Sequence, residues 1–117
     1  MAHTARFQEI LRRLAVIDER LVDDSTWLGV AGTGIIDPKT AALLRVGALA
    51  AIGSPAVCLE WSATRALAAG ATEDEVTDVL LAIAPVAGLG RVTAAARDVA
   101  AALGYDVDAA LLDPDDL

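Results

Sequence analysis

The apolar material of this chain is alanine above all, and that constrains the fold more than any motif. Of 117 residues, 56% are hydrophobic and only 3% aromatic, and alanine occurs 26 times. Alanine loses no side-chain entropy in a helix and lets neighbouring backbones come close. Strong β-formers do not gather into alternating runs. The expectation is an all-α fold in a single domain over residues 1–117.

Helix punctuation divides the chain. Phe7, Ile10, Leu11, Leu14, Ile17 and Leu21 recur at helical spacing, predicting helix 1 over residues 4–22. Asp-Asp-Ser, Trp27 and three glycines make residues 23–36 a loop with one short helical turn. Asp37-Pro38 reads as an N-cap followed by proline at the first helical position. Helix 2 then runs to about Ile52, and its second half, apolar after Arg45, is expected to be buried. Gly53 ends it, and Ser54-Pro55 repeats the start signal for helix 3, which reaches about Ala69 before Gly70. Thr72-Glu73-Asp74-Glu75 fits a capping box that opens helix 4. Pro85 should kink or end the last turn of helix 4, near Ala87. Helix 5 is predicted from about Arg91 to Leu103, with one short turn before an acidic end.

So much apolar surface on a small chain leaves little polar material to cover it. Burying a helix face against sister subunits resolves this, and a homo-oligomer is expected. The net charge of −8 argues against nucleic acid and anionic membranes as partners. The acid falls at Asp18–Asp24, Glu73–Asp78 and Asp106–Asp116, which read as solvated faces and a frayed end. One cysteine cannot form an internal disulfide, so the cytoplasm is the default location. The segment MAHTARFQEILRR is charged and amphipathic, unlike a signal peptide. The longest uncharged run, Val46–Leu59, is too short to span a bilayer. His/Cys/Asp/Glu residues show no metal-ligand spacing, and Gly32-Thr33-Gly34 follows no strand. Neither a metal nor another cofactor is expected. His3, the one histidine, lies in the first residues and is an improbable catalyst.

DPKTAALLRVGALAAIG (37–53), RALAAGATEDEVTDVLLAIAPVAGLG (65–90) and the alanine-rich helix ending at Gly104 together resemble the carboxymuconolactone decarboxylase family, which includes alkyl hydroperoxidase D-type proteins. The resemblance covers residues 37–104. It implies an all-α fold with a central antiparallel helix hairpin, assembly as trimers or hexamers, and an active site on helix 3 at a subunit or helix interface. In the peroxidase-type members that helix carries Cys-x-x-Cys-x-x-x-His. Counting back from Gly70-Ala71-Thr72, the second cysteine falls on Cys58, the first on Pro55 and the histidine on Ser62. The glutamate that the family carries on helix 2 falls near Ala42 or Leu43. Dithiol peroxidase chemistry needs a resolving thiol and a proton relay, and neither is here. In decarboxylase-type members the same histidine moves the proton, and Ser62 cannot do that as a base near neutral pH.

Cys58, Trp61, Ser62 and Arg65 lie at i, i+3, i+4 and i+7, on one side of helix 3. As a pocket wall they offer a thiol, a hydroxyl, an indole and a guanidinium for an anionic group. As structure, Cys58 is a small buried hydrophobe, Trp61 fills the core and Ser62 bonds the Cys58 carbonyl. Glu60 projects to a different side, either as a surface carboxylate or as a displaced acid or base. Arg45, inside an apolar stretch of helix 2, needs a carboxylate or ligand partner or must snorkel to water. The candidate catalytic residues are therefore Cys58, Glu60 and Ser62, and the candidate substrate-binding residues are Arg45, Trp61 and Arg65. Trp27 would close over the pocket or pack at a subunit contact, and Tyr105 is a spare hydroxyl. The expected function is lyase-type proton transfer, as in a decarboxylase, on a small acidic or carbonyl-bearing metabolite. The alternative is a non-catalytic oligomeric scaffold or small-molecule binder, and a thiol peroxidase ranks below both.

Overall fold

A computed structural model describes residues 5–16 and 35–112. The chain divides into two units, residues 1–35 and 36–117. All regular structure among the described residues is helical, and no strand forms among them.

In the first unit the described helix is α1, Arg6–Ala15. It is shorter than the 4–22 expected, and Ile17, Leu21 and Trp27 lie outside the described residues, as do His3 and Gly32-Thr33-Gly34. Glu9 sits one turn before Arg12 and Arg13 and accepts from both, at 2.7 and 3.2 Å. The apolar stripe is real, but no residue of α1 is buried: Phe7, Leu11 and Leu14 are all exposed.

The second unit is built from α2 (Pro38–Ile52), α3 (Ala56–Ala68), α4 (Glu73–Ala87), α5 (Leu89–Ala102) and the short α6 (Val107–Leu111). α2 packs against α3, α4 and α5, and α5 also packs against α3 and α4. Two bonds give the directions. Lys39, in the first turn of α2, donates to Glu75 in the first turn of α4 at 3.0 Å, so these two helices run parallel. Arg91, at the start of α5, donates to the carbonyl of Ile52 at the end of α2 at 2.7 Å, so α5 runs back along α2. α2 and α3, joined by three residues, form the hairpin expected of them.

The caps explain the boundaries. The Asp37 carboxylate accepts from the Thr40 N–H at 2.9 Å and from its hydroxyl at 2.8 Å, with Pro38 at the first helical position. The Thr40 N–H above all holds the Asp37 carboxyl below its ordinary pKa. Thr72 and Glu75 form the reciprocal capping box, each bond 3.0 Å. Glu75 is also the partner of Lys39, and that bond, ahead of the cap, lowers its pKa.

Three readings change. Ser54 does not cap α3: its N–H closes α2 by donating to the Leu49 carbonyl at 3.0 Å, and Pro55 stands at the N-cap. Gly53 makes this closure in the left-handed conformation (φ 74°), and a Cβ there would collide with the Arg91 guanidinium. α4 ends at Ala87 as expected, with Pro85 inside its last turn, but α5 starts at Leu89 and not at Arg91, so Gly88 alone makes the break. The second half of α2 is buried on one side only: Val46, Gly47 and Ala50 are covered, while Ala48 and Ile52 are exposed.

The core is small-residue packing. Among the described residues seven alanines are buried (Ala41, Ala42, Ala50, Ala63, Ala66, Ala71 and Ala95), alongside Val46, Leu59, Val76, Leu80 and Val99. Helix separation depends on the side chains at the contact, so alanine and Gly47 bring these backbones close. Val46, Val76, Val99, Leu59 and Leu80 fill what remains.

Candidate functional site

Helix α3 carries the candidate site, and its burial pattern decides what each residue can do. The buried stripe is Leu59, Ser62, Ala63 and Ala66. At about 100° per residue, Cys58, Trp61, Ser62 and Arg65 span an arc of about 100°. That arc straddles the edge of the buried stripe. Ser62 is on the inner edge with 3% of its surface exposed, and Trp61 on the outer edge with 51%. Cys58, between them, is a half-buried free thiol, and Arg65 is exposed.

The Ser62 hydroxyl donates to the carbonyl of Leu59 at 3.0 Å, not to that of Cys58 as the spacing suggested. This satisfies the one buried polar side chain of the described core. Trp61 does not fill the core. Its indole lies outside, with the Arg65 guanidinium carbon 5.0 Å from the ring centroid, a cation–π pair one turn apart. The pair fixes a cation beside a flat apolar surface, an arrangement suited to a planar carboxylate.

Glu60 lies about 160° around α3 from Cys58, across the buried stripe, and it is half-buried. Its carboxylate has no hydrogen-bond or ion-pair partner among the described residues, and its backbone carbonyl accepts from the Thr64 hydroxyl at 2.9 Å. Arg45 on α2 is likewise half-buried and unpartnered among the described residues. Ala42 is buried, so one of the two positions matching the family's glutamate faces the core. The structure therefore places Cys58, Trp61 and Arg65 together at a surface edge, sends Ser62 inward and sets Glu60 apart.

Three of the clefts among the described residues lie over α2 to α5. One of about 420 Å³ sits over the α2–α3 turn, with Ser54, Arg91 and Asp98 in its wall. A second, of about 340 Å³, runs between α4 and α5 and includes Tyr105 and Thr77. The third, of about 450 Å³, lies between α2 and α4 and is almost wholly apolar. Cys58 lines none of these three. Among the described residues no group of His, Cys, Asp and Glu could hold a metal ion, and no helix is long and apolar enough to cross a membrane. Arg91 was missed in the sequence reading; its signal was a cation within one turn of a glycine break.

Residues 20–102 match the model of the carboxymuconolactone decarboxylase family. The match takes in more than half of the chain and all of α2 to α5. This chain belongs to the carboxymuconolactone decarboxylase family. The helical hairpin and the caps of α2 and α4 fall inside the matched region, which begins upstream of Asp37. No curated protein and no solved structure gives a significant match.

Proposed function

We propose that this family member acts on a small acidic or carbonyl-bearing molecule by lyase-type proton transfer at the Cys58 edge of α3. The observation that carries the reading is the Arg65–Trp61 pair beside a half-buried thiol. Loss of carbon dioxide from a carboxylate substrate leaves an electron pair on the carbon next to a carbonyl, and a proton must be delivered there. Arg65 would hold a negative group and Cys58 would exchange the proton. Arg45 is a second candidate anion holder, and Glu60 would serve only from a neighbouring subunit, because it lies across the helix from Cys58. We further propose that the chain assembles with copies of itself, as trimers or hexamers, and works in the cytoplasm. Exposed Leu44, Ile52 and Leu89 support assembly.

A second reading is favoured by one observation. Ser62 is locked into the core by its bond to Leu59, so no proton-handling partner sits beside Cys58 where the family's histidine would be. This supports a binder without turnover. One experiment separates the two: carbon dioxide release from a panel of small carboxylactones and 2-oxo acids, with calorimetric binding of the same compounds. Turnover lost in Cys58→Ala and Arg65→Gln, with assembly intact, supports the lyase. Binding that needs Arg65, without turnover and indifferent to Cys58→Ala, supports the binder. Neither turnover nor binding would sink both.

A further inference from the structure

We propose that the cleft over the α2–α3 turn binds a short zwitterion, a molecule with a carboxylate at one end and an ammonium group at the other. Cys58 does not line this cleft, so the site is separate from the one proposed for proton transfer and does not depend on it. Its volume of about 420 Å³ suits a small molecule. Arg91 and Asp98 both stand in its wall, on the same helix, α5. At about 100° and about 1.5 Å per residue, they lie about 20° apart around α5 and about 10 Å apart along it. Between them on that line come Ala94 and Ala95, so only methyl groups occupy the gap between the two charges. The result is a hollow with a cation at one end, an anion at the other, and an apolar floor of Ala50, Leu59 and Ala95.

Both charges are available to a ligand. Arg91 Nη1 donates to the Ile52 carbonyl at 2.7 Å, which holds the guanidinium at the end of α2. Its other N–H groups have no partner among the described residues, and no ion pair joins it to Asp98. Gly53, lacking a Cβ, leaves the guanidinium its place. The Asp98 carboxylate is half-buried and has no hydrogen-bond or ion-pair partner among the described residues, and neither has the half-buried Ser54 hydroxyl in the same wall. A half-buried carboxylate gains from a cationic partner.

Charge and length select the ligand. A simple anion drawn to Arg91 would meet Asp98, on a chain whose net charge is −8. A simple cation drawn to Asp98 would meet Arg91. A zwitterion satisfies both and carries no net charge. A hydrogen bond of about 2.9 Å at each end of the gap leaves about 4–5 Å, the span of a carboxylate and an ammonium separated by roughly two or three methylene groups. The methylene stem would lie on the alanine floor.

The test is calorimetric titration of the full chain with glycine, β-alanine, γ-aminobutyrate and ε-aminocaproate, and with propionate and propylamine as probes carrying one charge each. β-Alanine or γ-aminobutyrate should bind tightest. Propionate and propylamine should bind about tenfold more weakly or worse, for the loss of one charge-assisted hydrogen bond. Asp98→Asn and Arg91→Gln should each weaken the zwitterion by about the same factor. Arg97→Gln, which removes a cation of α5 outside the cleft, should bind as wild type does. Arg91→Gln also frees the end of α2, so if that variant unfolds, Asp98→Asn decides, being isosteric and having no partner among the described residues to lose. No binding of any zwitterion would overturn the proposal. Propionate binding as tightly as β-alanine would overturn it in favour of an anion site, and unchanged binding in Asp98→Asn would overturn it by putting the ligand elsewhere. Equal binding of glycine and ε-aminocaproate to that of β-alanine would overturn the assigned span.

Discussion

Deleting the same two methyl groups at Val46 and at Val57 should give very different costs. Val46 has 0% of its surface exposed and Val57 has 70%. Removing two buried methyls from Val46 forfeits about 1.6 kcal/mol of transfer free energy, at about 0.8 kcal/mol each. The core it belongs to mixes Leu59, Val76, Leu80 and Val99 with alanines, which have no rotamer with which to move inward, so part of the void should persist. A residual void of about 40 Å³ adds about 1 kcal/mol. Alanine's better helix propensity returns about 0.5 kcal/mol. The net cost of Val46→Ala is about 2 kcal/mol, or about 10 °C in Tm for a domain of this size. At Val57 less than a third of the transfer loss applies, about 0.5 kcal/mol, and the helix-propensity gain cancels it. Thermal and urea unfolding of both variants, at one matched protein concentration because association adds apparent stability, reads the difference. Costs that agree within about 0.5 kcal/mol would refute the assignment of Val46 to the centre of the core.

Other residues give sharper local tests. Thr72→Ala removes the hydroxyl that accepts the Glu75 N–H and should cost about 1 kcal/mol in urea unfolding; no loss would mean that water serves as well. The lowered pKa of Glu75 sets a pH dependence: its contribution is fully present above the ordinary glutamate value of 4.5 and is lost as pH falls through the depressed folded value. Glu75→Gln should therefore be less stable at neutral pH and lose less stability on acidification, and an unchanged acid slope would contradict the Lys39 and Thr72 bonds. Restoring the family's imidazole with Ser62→His should destabilise by about 2 kcal/mol or more, because the position is packed. A fully stable Ser62→His protein would show that α3 has room there for a catalytic group.

Much of the fold was legible because helix ends are local. Asp37-Pro38, Gly53, Gly70, Thr72 with Glu75, and Gly88 each act through bonds to residues a few positions away. The errors were of the same kind. Ser54 looked like a cap, but its N–H was needed to close α2, which only the geometry of a three-residue hairpin turn reveals. The candidate site was less legible. Spacing placed Cys58, Trp61, Ser62 and Arg65 on one arc of α3, correctly, but not on which side of the water boundary that arc lies.

By itself the sequence determined an all-α fold, most of its break points and its family, because these depend on composition and on local bonding. Only the tertiary structure decided that Ser62 turns inward while Trp61 turns out. It also decided that α2 and α4 run parallel with an apolar groove between them. Alanine is the reason. A residue small enough for either side of a helix carries almost no information about which side faces the core, so the packing of α2 to α5 settles it.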